Sequence, residues 1–184
     1  MAAYNGFGAA TPDTKYGDTS LSQSASYATA QKFTAPSSGT LDLTEIGVYG
    51  HGNGSTVAVK MAVYTHDAAN DCPESQVSNS EATISLTGSD YVKVKADYGA
   101  TKPQITGGGT YWIAAISDGA PYYSAFAAAG ELEVGSVTYP TWPTATAWET
   151  HAHYDYDLSF YAVYQAASGV GQAPRSTSYF TMNW

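Results

Sequence analysis

Four side chains in the run HAHYDYD have the types and spacing of a metal site: His151, His153, Asp155 and Asp157. In an extended segment, residues two apart share a face, so two imidazoles and two carboxylates would line up. Such a set suits zinc or nickel. The same alternation also fits the solvent side of an edge strand, with Tyr154 and Tyr156 packed beneath it. A second group of oxygens lies in Asp67, Asn70 and Asp71. Their spacing allows calcium, although the EF-hand pattern with its closing Glu is missing. An Asx-rich turn uses the same residue types.

Nucleophilic chemistry has less to build on. None of His51, His66, His151 and His153 stands beside a Ser or Cys partner in sequence, and a nucleophile needs a base. Cys72 lies in a loop with two acids near it, and acids raise a thiol's pKa. The chain contains no G-x-S-x-G, no H-E-x-x-H, no phosphate-binding glycine loop and no recognisable glycosidase pair, the motifs with a catalytic mechanism attached. It reads as a protein that is not an enzyme and takes no cofactor.

Aromatic residues are the more prominent resource, with 16 Tyr and 4 Trp. Tyr122 and Tyr123 are adjacent, and Tyr139 and Trp142 are interleaved with Pro140 and Pro143, which hold that stretch extended. Aromatic faces pack on the apolar faces of sugars, and Tyr and Trp are also enriched at protein interfaces. Glycans and a neighbouring subunit are therefore both open as partners. Two further sets lie towards the ends: Tyr4 and Phe7, and Tyr179, Phe180, Met182 and Trp184. Terminal aromatics harm solubility unless they dock, either back on their own domain or on another chain.

The elements that position these residues follow from composition and period. The chain has 184 residues, enough for one domain with a sizeable core. Charged residues make up only 12%, and the net charge is −9. That balance repels phosphate backbones and anionic membrane surfaces, which excludes nucleic acid and membrane as partners. No apolar run is long enough to span a bilayer. The N-terminal run has neither a basic nor an apolar leader segment, so the expectation is synthesis in the cytoplasm without a secretory signal.

Helical periodicity is nearly absent, and strand signals recur between turn residues. Strands are expected at 26–35, 41–49, 56–65, 82–86, 91–96, 110–117, 122–127, 132–139 and 154–165. Val57, Val59, Met61 and Val63 alternate inward in the third. In the last, Tyr156, Leu158, Phe160, Ala162 and Tyr164 share a face. Nine or ten strands without crossover helices make an all-β antiparallel sandwich, a jelly roll. Residues 26–165 form that domain, with 1–25 as an N-terminal arm and 166–184 as a linker and aromatic tail.

The strand-and-turn pattern has a counterpart. The runs YATAQKFTA from Tyr27, SGTL from Ser38, IGVY from Ile46, MAVYT from Met61, GGGTYW from Gly107 and YAVY from Tyr161 resemble the jelly-roll domains of tailed-phage virion proteins. Related domains also occur beside carbohydrate-binding modules. The resemblance implies a non-catalytic virion surface protein: a capsid decoration or cement protein, a head fibre or a tail appendage. It would be made in the host cytoplasm and would contact capsid proteins and copies of itself, as a trimer by family analogy. The alternatives it leaves are a carbohydrate-binding domain for host glycans and a bacterial surface protein that assembles without a virus.

Overall fold

The computed structural model describes residues 6–8, 19–36, 39–126, 131–149, 153–155 and 157–167. Along them run β1 (Gly6–Gly8), β2 (Thr19–Ser22), β3 (Tyr27–Thr34), β4 (Thr40–His51), β5 (Val57–Asp67), β6 (Cys72–Gln76), β7 (Ala82–Leu86) and β8 (Val92–Asp97). There follow β9 (Gln104–Thr106), β10 (Thr110–Ser117), β11 (Tyr122–Phe126), β12 (Leu132–Ser136), the short helix α1 (Ala145–Glu149), β13 (His153–Tyr154), β14 (Asp157–Leu158) and β15 (Phe160–Ala166). Two antiparallel sheets pack face to face, so the expected all-β sandwich is the observed architecture. Strands β7 and β10 have the expected bounds. The excess over nine or ten comes from short pieces, β1, β2, β6 and β9, and from the last strand being broken into three.

Sheet A is built on β4, 12 residues long. On one side β4 pairs with β8 and β9. On the other it pairs with β15 from Leu41 to Val48 and then with β11 at Gly50 and His51. The sheet forks where those two partners part, and Ser159 sits in the fork. Its N–H donates to the Ser124 carbonyl, its own carbonyl accepts from the Tyr49 N–H, and its Oγ donates to the Tyr49 carbonyl at 2.8 Å. Beyond the fork β15 carries β1, and β11 carries β2.

Sheet B runs β13–β12–β3–β10–β5–β6, with β7 also on β5. Its inner face supplies Val57, Val59, Met61, Val63, Ile113 and Ala115 to the core, against Leu43, Ile46, Val48, Phe160 and Ala162 of sheet A. The inward alternation expected for Val57 to Val63 is the one observed. The outer face of sheet B is buried too. Ala30, Ala114 and Ala62 lie in one cross-strand row, and Trp148 of α1 packs over this face together with Tyr139 and Trp142. A Cβ on Gly135 would come within 2.9 Å of the Trp148 ring, so that position is closed to any larger residue. Helix α1 has five residues, too few to be stable alone; burial of Trp148 holds it.

The N-terminal segment is not wholly an arm. Gly6, Phe7 and Gly8 pair with Val163, Ala162 and Tyr161, and Ser20 to Ser22 pair with Ser124 to Tyr122. Gln23 is buried, donating to the carbonyls of Tyr27 and Ala115 and accepting from the Tyr123 hydroxyl. A chain that places a buried amide between both sheets belongs to the domain.

Replacing Trp148 with Ala should lower the unfolding free energy by about 3–5 kcal/mol, the usual cost of truncating a buried Trp. Urea denaturation checks this. A loss below about 1 kcal/mol would show that the outer layer is not needed.

Candidate functional site

The outer face of sheet A, at the far end of β4, gathers aromatic rings from three parts of the chain. Beyond Val48, which faces the core, alternation places Tyr49 and His51 on the other face of the sheet, Tyr49 half-buried and His51 buried beneath its neighbours. The pairing of β11 with β4 sets Tyr122 directly opposite His51. Tyr91 precedes β8, whose Val92 pairs with Gly50. The rings of His51 and Tyr122 are stacked, 5.1 Å apart with 6° between planes. Tyr91 meets His51 edge-on at 4.6 Å and stacks on Tyr49 at 6.0 Å. None of the four belongs to either hydrophobic core cluster.

Close backbone packing fixes the row. A Cβ on Gly50 would lie 2.6 Å from the Tyr122 carbonyl oxygen, so only glycine lets β11 approach β4 there. The Asn53 N–H donates to His51 Nδ1 at 3.0 Å. With Nδ1 accepting, the neutral ring carries its proton on Nε2. Lys93 stands opposite Tyr49 in the register; its ammonium lies 5.0 Å from the centre of the Tyr161 ring and 4.0 Å from Glu45.

The residues expected to bind glycans or a subunit separate in space. Tyr123 is fully buried in the core, edge-on to Phe160, so it offers no surface. Trp142 and Tyr139 pack on the outer face of sheet B instead. Trp142 is edge-on to Tyr64, and its Nε1 donates to Glu81 at 2.7 Å. Lys60 bonds the same carboxylate, and it is first among the groups that hold Glu81 below the usual carboxylate range. Of the four, only Tyr122 takes part in the aromatic row. The other three members, Tyr49, His51 and Tyr91, carry no joint signal in the sequence, because cross-strand register is what unites them. The signal present was alternation along β4, which places Tyr49 opposite the core.

The expected metal face does not form as drawn. His153 is in β13, which pairs with β12 of sheet B, whereas Asp157 is in β14, which pairs with β11 of sheet A. The chain changes sheets between them, so a single period-two face cannot run through both. Tyr154 is exposed rather than packed beneath, and Asp157 is the partly buried one, accepting from Gln31 Nε2 at 3.2 Å. Asp155 is exposed, and His151 lies outside the described residues. Among the described residues no three His, Cys, Asp or Glu groups converge as metal ligands.

The Asp67 loop is an Asx turn. Asp67 accepts from the N–H of Ala69 at 2.8 Å and from Asn70 Nδ2 at 2.7 Å, and the Ala69 bond is first among the causes that lower its pKa. Asp71 pairs with Lys32. Burial pulls the Lys32 ammonium pKa down, but bonds to Asp71 and Glu131 outweigh it and leave it raised. Cys72 is buried. Phe7 is placed by its backbone in β1; Tyr4, Tyr179, Phe180, Met182 and Trp184 lie outside the described residues. No protein-family model and no curated protein matches this chain.

Burial raises the Asp157 carboxyl pKa. A raised acid favours the folded state fully at pH below its unfolded value, and that contribution is lost as pH rises through the folded value. Asp157→Asn keeps the acceptor for Gln31 and removes the loss. Its melting temperature should exceed the parent's at pH 7 and converge with it near pH 3. Equal temperatures at both pH values, read by scanning calorimetry, would contradict this.

Proposed function

We propose that this chain is a non-catalytic structural protein of a virion surface, a capsid decoration or head-surface protein of a tailed bacteriophage, held to the particle by its terminal segments. The observation that carries the reading is where those segments leave the sandwich. Gly6 pairs with Val163, which itself lies opposite Glu45 near the middle of β4, and the Ala167 N–H donates to the Thr40 carbonyl. The described residues thus end at the Thr40 end of β4, and β1 begins level with its middle and runs parallel to it. The aromatic row lies at its His51 end, 11 residues further on and about 36 Å away at the usual rise of a strand.

An attachment end and a presented end suit a protein that grips a lattice and faces outward. The terminal segments carry Tyr4 and, in the last nine residues, Tyr179, Phe180, Met182 and Trp184. Large apolar side chains on a reachable strand-forming segment can add to a neighbour's sheet edge. Self-association, as a trimer, belongs to the same reading and is tested by light scattering.

The decisive experiment is electron microscopy of native particles with this chain located in the density, paired with a truncation after Ala167. The truncated protein should melt as the full chain does and fail to sediment with particles. Density inside the shell, or a truncated protein that binds as well as the full chain, would overturn the reading. A truncation that unfolds would place the tail in the domain's own core.

A further inference from the structure

We infer that the row Tyr49–Tyr91–His51–Tyr122 is a binding site for a neutral saccharide. The inference does not rest on attachment to a particle, since it concerns the opposite end of the sandwich.

Four features carry it. Tyr49, Tyr91 and Tyr122 lie outside both core clusters and keep part of their surface in solvent, while His51 between them is buried, with 9% of its surface exposed. They are locked against one another in a stacked, edge-on, stacked sequence, so a ligand meets side chains that have already lost their rotamer freedom. Among the described residues, no group accepts from His51 Nε2 and none bonds the hydroxyls of Tyr49 or Tyr122. His51 Nδ1 is taken by Asn53, which fixes the remaining ring N–H as a donor. Finally, the row has no charged member, and Lys93 beside it is directed to Tyr161 and Glu45.

Two phenol hydroxyls and an imidazole N–H, set among apolar ring carbons and without charge, ask for a partner of matching character. That partner carries many hydroxyls, no charge and patches of C–H. A saccharide ring has all three. An anionic glycan would be repelled by a chain with a net charge of −9, and an apolar peptide would leave the three polar tips unpaired.

The test titrates the full chain with maltotetraose, cellotetraose and tetra-N-acetylchitotetraose, followed by two-dimensional NMR of the amide and aromatic signals. At least one should shift the signals of Gly50 to Asn53 and Tyr122 saturably. Tyr122→Ala should weaken that binding roughly tenfold, the loss of an aromatic contact and a hydrogen bond together. Tyr122→Phe and Tyr49→Phe keep the rings and should each weaken it several-fold. Because they change no packing, they hold the test open if the Ala variant unfolds. Tyr154→Ala, an exposed tyrosine on sheet B, should bind as the parent does.

The proposal is overturned if none of the three sugars shifts these signals. It is also overturned if binding is indifferent to both Tyr→Phe variants. Loss of self-association in Tyr122→Ala without sugar binding by the parent would instead make the row a contact between copies.

Discussion

Ala30, Ala114 and Ala62 stand side by side across β3, β10 and β5, and their methyl groups make a shallow trough on the outside of sheet B. Larger side chains there would hold any covering segment away from the sheet. With alanines, Trp148 can pack closely over it, and the segment from Val137 to Trp148 closes the layer. The central strand β10 is therefore buried on both faces from Trp112 to Ser117. Two-sided burial gives sheet B the rigidity against which sheet A and its outward row are held. Antiparallel sheets in sandwiches often leave one face wet; here five aromatic residues, Tyr64, Trp112, Tyr139, Trp142 and Trp148, keep it dry.

The two sheets are tied where the chain passes between them. Gln31 belongs to β3 in sheet B, yet its Oε1 accepts from the Leu158 N–H at 2.8 Å and its Nε2 reaches Asp157 in β14. A buried amide satisfied by the other sheet fixes their relative position, since moving either would orphan a donor and an acceptor at once. Gln23 and Tyr123 make a comparable tie near Ala115. Between these pins, Ser159 occupies the fork in sheet A. Small polar residues at branching points satisfy backbone groups that no strand can reach.

Fold class was legible because period-two patterning and turn residues survive in a single sequence. The inward face from Val57 to Val63 and the bounds of β7 and β10 read directly. What could not be read was register. The alternation from His151 to Asp157 suggested one continuous face, but β13 and β14 pair with different sheets. The aromatic row escaped for the same reason, since Tyr91 and Tyr122 are 31 positions apart in the chain and meet only through β4. The prolines that flank Trp142 indicate an extended stretch but not what its ring packs on. The ring is held down by Glu81 and Tyr64, partners far away in sequence. Helix α1 had no periodic signal to find, as five residues held by one buried Trp carry none.

The pairing of Gly6 with Val163 and of Ser20 with Ser124 has a consequence in time. A nascent chain emerges from its N-terminus, so the first strand is made long before the strand that receives it. β1 must wait for β15, and β2 for β11, while the middle strands already have neighbours. Non-local closures of this kind are slow, because the loop entropy is lost before the contacts form. Until synthesis reaches residue 163, the exposed flank of β4 is open to strands of other chains. The last of the described strands is also the one that closes that flank.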